Sequence, residues 1–199
     1  MRNVRMCVVG DELCAGIGDP RGLGWVGRVI ARTEFTAPTM TFTLPVPHET
    51  LGGLKERWES ETALRFGHPD ETDNRLIIAS GRYDVDADIS LARSRLHLAG
   101  IIDHALGQRI QPFVLGPPPG RARDGERIAE LSRGLGDVCN RRNVPYVEVY
   151  EPLAQHEQWL ADAARSRTGF PGQDGYGLIA WLVLHTRWRT WLGLTADDE

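Results

Sequence analysis

Apolar residues in this chain follow two alternating rhythms. Short runs at Val4–Val9, Leu76–Ala79, Phe113–Leu115 and Val144–Val149 are bounded by glycine, proline or polar residues, and Thr39–Leu44 places Met40, Phe42 and Leu44 on one side. These five segments predict strands. The stretches between them repeat at helical spacing. Trp25–Thr33 carries Trp25, Val26, Val29 and Ile30, Thr50–Phe66 carries Leu51, Leu54, Trp58 and Leu64, and Asp124–Arg142 carries Ile128, Leu131, Leu135 and Val138. Ile89–Leu106 follows Asp88, a candidate cap, and stops at Gly107. Glu151–Ala164 and Asp174–Trp191 complete the helices, with Trp181, Trp188 and Trp191 on a face expected to pack on the sheet. Gly10–Gly24, Pro69–Asn74, Gly116–Gly120 and Arg165–Gln173 read as loops.

Strands that alternate with helices predict an α/β fold, a three-layer α/β/α sandwich around a five-stranded parallel sheet with right-handed crossovers. No repeat or linker interrupts residues 1–199, so one domain is expected. Ligands of such sheets sit at the carboxyl ends of the strands. The loops to watch are therefore those after strand one (Asp11–Gly24), strand two (Pro45–Thr50) and strand three (Ser80–Asp84), with the late loop near Phe170.

Composition narrows the function classes. A length of 199 residues, 41% hydrophobic and 25% charged, suits a globular protein with a sizeable core. The net charge of -4 offers no general attraction to nucleic acid or anionic membranes, and no apolar run is long enough to span a bilayer. Met1–Arg5 leads directly into a strand, without a long apolar region or a cleavage site, so a cytoplasmic location is expected. Cys7, Cys14 and Cys139 are an odd, scattered set that suggests reduced thiols. Neither they nor the six dispersed histidines have metal-ligand spacing, so neither a metal nor another cofactor is expected. The expected partner is a small-molecule substrate, and the protein a monomer or homodimer.

The first strand delivers Gly10-Asp11-Glu12-Leu13, followed by Gly18-Asp19-Pro20-Arg21-Gly22-Leu23-Gly24-Trp25-Val26-Gly27. Further on come Gly116-Pro117-Pro118-Pro119, Val144-Pro145-Tyr146-Val147 and Pro171-Gly172-Gln173-Asp174-Gly175-Tyr176. Together these blocks resemble the GDSL (SGNH) hydrolases along nearly the whole chain. The resemblance implies the flavodoxin-like SGNH fold. It also implies a serine nucleophile in the first block, an oxyanion hole completed by a glycine and an asparagine in the next two, and an Asp and His base in the last. Glu12 stands at the serine position. His48 aligns with the second-block glycine, Tyr83 with the asparagine in Gly81-Arg82-Tyr83-Asp84, and Arg167 and Phe170 with the last-block Asp and His. Serine acyl transfer needs a nucleophile, a base and oxyanion donors, and Phe170 cannot accept a proton. Ordinary serine esterase chemistry is therefore not expected.

Three readings stay open. In the first, the site is rebuilt for cofactor-free cyclisation, isomerisation, elimination or hydration, and a secondary-metabolite biosynthetic step is one natural setting. Glu12, at a strand end among apolar neighbours, would have a raised pKa and act as general acid or base, with His48 sharing the proton and Tyr83 donating to a substrate oxygen. Asp11, Arg82, Asp84, Arg167 and Phe170 would shape the substrate site, the arginines holding an anionic or carbonyl group. In the second, the cleft binds a ligand or protein without turnover. In the third, a hydrolase uses a relocated set such as Cys14, His48 and Asp84. Plainer roles exist too. Glu12 can bridge Arg82 or Arg167, Asp11 and Asp84 can order their loops, and Cys14 can fill the core. Ser80 and Ser90 are better explained by strand end and helix start.

Overall fold

The computed structural model describes residues 2–79, 81–120 and 124–194. Five strands form one parallel sheet: β1 (Asn3–Gly10), β2 (Thr39–Pro45), β3 (Thr72–Ala79), β4 (Gln111–Leu115) and β5 (Tyr146–Val147), in the order β2-β1-β3-β4-β5. Gly10 lies opposite both Pro45 and Ala79, so β1, β2 and β3 end at one level. Along β1 the side chains alternate between two apolar layers. Met6 and Val8 join Trp25, Tyr176, Ile179 and Trp188 on one face. Cys7 and Val9 join Leu51, Leu54, Leu98 and Leu135 on the other. A strand buried on both faces reads as a continuous apolar run, which is why Val4–Val9 was legible.

The helices are α1 (Glu12–Ala15), α2 (Gly24–Ala31), α3 (Leu51–Ala63), α4 (Arg82–Asp86), α5 (Leu91–Gly107), α6 (Gly125–Asn140), α7 (Tyr150–Ala154), α8 (Glu157–Arg165), α9 (Gln173–Leu184) and α10 (Trp188–Leu192). Several boundaries differ from the sequence pattern. β3 begins at Thr72, inside the expected loop: Asn74 is buried, pairing with both backbone groups of Gly67 at 3.1 and 2.7 Å. A satisfied polar residue can enter a strand core that hydropathy alone would refuse it. The cap of α5 is Ser90, whose hydroxyl accepts from Arg93 N, whereas Asp88 is exposed and pairs with Arg127. The expected Glu151–Ala164 helix breaks into α7 and α8, and the C-terminal helix breaks into α9 and α10. Trp188 is buried and bonds Thr33 Oγ1 at 2.9 Å, and Trp191 packs on Phe113. Trp181 does not join them: it is exposed and stacks on His185. Ser80, read as a strand end, lies outside the described residues.

Two short helices interrupt what the sequence pattern presented as loops. β1 turns into α1 at Gly10, whose φ of +149° and lack of a side chain are both required. A Cβ there would sit 2.0 Å from Ala79 O. Asp19 then gathers the glycine-rich loop: it is buried and accepts from Arg21 N, Gly24 N and the Arg28 guanidinium. Its carboxyl is held below the usual range, although burial, the largest single influence, acts in the opposite direction. No helix among the described residues is long and apolar enough to cross a membrane.

Candidate active site

Glu12 begins α1 directly beyond the carboxyl end of β1 and is 7% exposed. Two other loops close on its carboxylate. After β2, the chain is tied down by Val46 N to Gly10 O at 2.9 Å and by buried Glu49, which pairs with Arg57. Between these anchors, His48 adopts φ +58°, a left-handed conformation that favours glycine. That backbone turns His48 N–H toward Glu12 Oε2, at 3.1 Å. After β3, Gly81 at φ +126° starts α4 and brings the Tyr83 hydroxyl to Glu12 Oε1, also at 3.1 Å.

Glu12, His48 and Tyr83 therefore converge from three different loops. The His48 ring lies edge-on to Tyr83, with centroids 5.0 Å apart and its Nε2 3.7 Å from Glu12 Oε1. Its side chain is 77% exposed and so faces solvent. Burial, and then the adjacent Glu12 carboxylate, push the Tyr83 phenol well above its ordinary range, which keeps it a hydrogen-bond donor. Both donors suit an ionised carboxylate. The expected alternative, an ion pair from Glu12 to Arg82 or Arg167, is not formed among the described residues.

Arg82 instead reaches across the cleft. Its Nη1 donates to Gly169 O at 3.1 Å, and its guanidinium lies 5.0 Å from the Phe170 ring and 5.8 Å from the Tyr83 ring. His48, Tyr83, Arg82 and Phe170 line an open cleft of about 480 Å³, which also reaches Thr168 and Arg127. Neither of the last two carried a sequence signal beyond charge or loop position. Asp11 is buried at 3% exposure. It accepts from Leu13 N at 2.9 Å and so caps α1. Its carboxyl is pushed up to about 7, mainly by burial, with Leu13 N–H opposing and Glu12 adding to the rise.

Two expected site residues lie elsewhere. Asp84 is fully buried, with Leu51 N at 2.7 Å and Ser94 Oγ at 2.5 Å on its two oxygens. It fastens α3 and α5 to the third loop, so its place is structural. Arg167 is exposed and makes no hydrogen bond or ion pair among the described residues. The relocated set does not assemble either. Cys14 is buried with Sγ 3.7 Å from Ala79 O, and burial pushes its thiol well up, away from the nucleophilic thiolate. Among the described residues, no group of three His, Cys, Asp or Glu could hold a metal ion.

Solved structures with this architecture include a lipase/acylhydrolase from Enterococcus faecalis, 21% identical over all of both chains with a TM-score of 0.74. A G-D-S-L family lipolytic protein from Veillonella parvula is 17% identical over 91% of this chain and 96% of that one, at 0.71. A psychrotrophic esterase, EstA, from a Pseudoalteromonas species is 14% identical over 95% and 98%, at 0.70. At these identities the likeness establishes the shared fold. No curated protein matches the chain significantly. The sequence model of the GDSL-like lipase/acylhydrolase family, however, matches residues 8–178, a span that runs from the end of β1 through the other four strands and holds all three loops around Glu12, and the chain belongs to that family.

Proposed function

We propose that the cleft performs cofactor-free acid/base chemistry on a small molecule, a cyclisation, isomerisation, elimination or hydration, with Glu12 taking and returning the proton. One observation carries this reading. A nearly buried carboxylate is held by His48 N–H and Tyr83 O–H, and both of these residues line an open cleft shared with Phe170 and the charged Arg82, Asp86 and Arg127. Two fixed donors hold the carboxylate in one orientation before any ligand arrives, which is what efficient proton transfer needs. His48 links Glu12 to bulk solvent and can restore its proton state between turnovers. Tyr83 holds Glu12 in the resting site and can turn its O–H to a substrate oxygen as charge develops there. Arg82 offers guanidinium N–H groups to a carbonyl or anionic group, and Phe170 excludes water on that side. A biosynthetic step is a natural setting for such chemistry.

Family membership supports a second reading, hydrolysis of an ester-like bond in which Glu12 activates water in place of a serine. One experiment separates the two. The protein and its Glu12→Gln variant are incubated with a small-molecule extract of the organism that carries it, and mass spectrometry follows the change. The first reading predicts a product equal in mass to its precursor or different by one water, and a rate slowed by roughly 10²–10⁴-fold in Glu12→Gln. Cleavage into an acid and an alcohol supports hydrolysis instead. Equal rates in both proteins refute Glu12 as the proton carrier, and no conversion at all leaves a cleft that only binds.

A further inference from the structure

Phe170 and Arg82 line two spaces at once, the open cleft and a narrow pocket behind it. The remaining walls of the pocket are Leu13, Ala79, Gly116, Pro117 and Pro118, all buried, and its polar side chains are Arg82 and Asp11. Asp11 receives one hydrogen bond among the described residues, from Leu13 N to Oδ1, which leaves Oδ2 without one. The pocket now has room for about one water, roughly 10 Å³.

The partition between the two spaces is lightly held. The loop carrying Phe170 is bonded largely within itself: Ser166 Oγ to Phe170 O at 2.6 Å, Gly169 N to Ser166 Oγ at 3.1 Å and Phe170 N to Thr168 Oγ1 at 3.2 Å. Arg82 ties it to the site through the single bond to Gly169 O and the stack on Phe170. Parting the wall breaks one exposed hydrogen bond and one cation–π contact, both modest, and exposes part of the Phe170 ring, now 7% exposed.

We propose that this pocket is a subsite for a short, uncharged apolar group of the substrate bearing one hydroxyl, entered from the cleft when Phe170 and Arg82 separate. Hydrocarbon walls favour the apolar part, and the hydroxyl pairs with Asp11 Oδ2, accepting from it while the carboxyl keeps its proton and donating to it once ionised. The upward displacement of the Asp11 carboxyl agrees with a site that disfavours further negative charge. This inference rests on reading the cleft as the substrate site, but its test needs no turnover.

Benzyl alcohol is the probe, and benzoate its charged counterpart. Each is titrated into the ¹⁵N-labelled full chain while the amide signals of Leu13, Ala79 and Gly116 are followed. Benzyl alcohol is expected to shift these signals at millimolar concentration, and benzoate to leave them in place. Phe170→Ala should bind the alcohol roughly tenfold more tightly, because the partition no longer has to open. Ala79→Ile, which fills the pocket, should abolish the shifts. If Ala79→Ile does not fold, Arg82→Ala provides the second arm and should tighten binding severalfold. Unmoved signals in both the wild type and Phe170→Ala, or benzoate binding as well as the alcohol, would overturn the subsite. Glu12→Gln should bind the alcohol as the wild type does, so loss of turnover with binding retained separates the acid/base reading from this one.

Discussion

Replacing Asp11 by asparagine should make stability less dependent on pH, and the size of the effect follows from the Asp11 environment. In the fold its carboxyl is pushed up to about 7 from an ordinary value of 3.8, and burial is the main cause. The native state therefore binds a proton between those values that the unfolded chain has already released. Stability falls as pH rises through this window, by about 1.4 kcal/mol per pH unit. The stability is fully present below pH 3.8 and lost above pH 7, a difference of about 4 kcal/mol. Asparagine keeps an oxygen that can accept from Leu13 N and still cap α1, but it carries no charge. At pH 8, Asp11→Asn should exceed the wild type by about 2–4 kcal/mol, with the two nearly equal at pH 4. Urea unfolding of both proteins from pH 4 to 8 measures this, and other titrating groups cancel in the difference. A difference that stays constant with pH, or grows toward acid, would refute a buried, proton-retaining Asp11.

Three other outcomes test the architecture around the site. Asp84→Ala removes an acceptor shared by Leu51 N and Ser94 Oγ. It should cost about 3 kcal/mol in urea unfolding while leaving ligand shifts at Leu13 and Ala79 in place, as a structural rather than a substrate-binding residue would. Gly10→Ala forces a Cβ to 2.0 Å from Ala79 O at φ +149° and should cost more than about 3 kcal/mol, read as a large drop in the denaturation midpoint. His48→Gly relieves a left-handed backbone while keeping the N–H on Glu12. It should stabilise by about 1 kcal/mol and slow turnover of the substrate found with the extract, because the ring beside Glu12 is gone.

The amino-acid pattern determined much of this protein by itself. Its apolar runs predicted five strands and their alternation with helices, because parallel strands buried on both faces need continuous hydrocarbon. Motif blocks starting at Gly10-Asp11-Glu12-Leu13 identified the family, and the loops beyond the first three strands marked the cleft. Glu12, His48 and Tyr83 were legible as candidates because the motif blocks align them with the family's serine, glycine and asparagine positions, on loops beyond the strand ends where a parallel sheet presents its ligands. Only the tertiary structure decided their partners. Glu12 meets a phenol and a backbone N–H rather than a guanidinium, since Arg82 is drawn away to Gly169 and Phe170. Asp84 and Asp11 are both acidic loop residues in sequence, yet one is sealed between two helices and the other lines a pocket. Spacing shows which residues reach the sheet edge. Burial and the direction of each donor, which depend on contacts far apart in the chain, determine what they can do there.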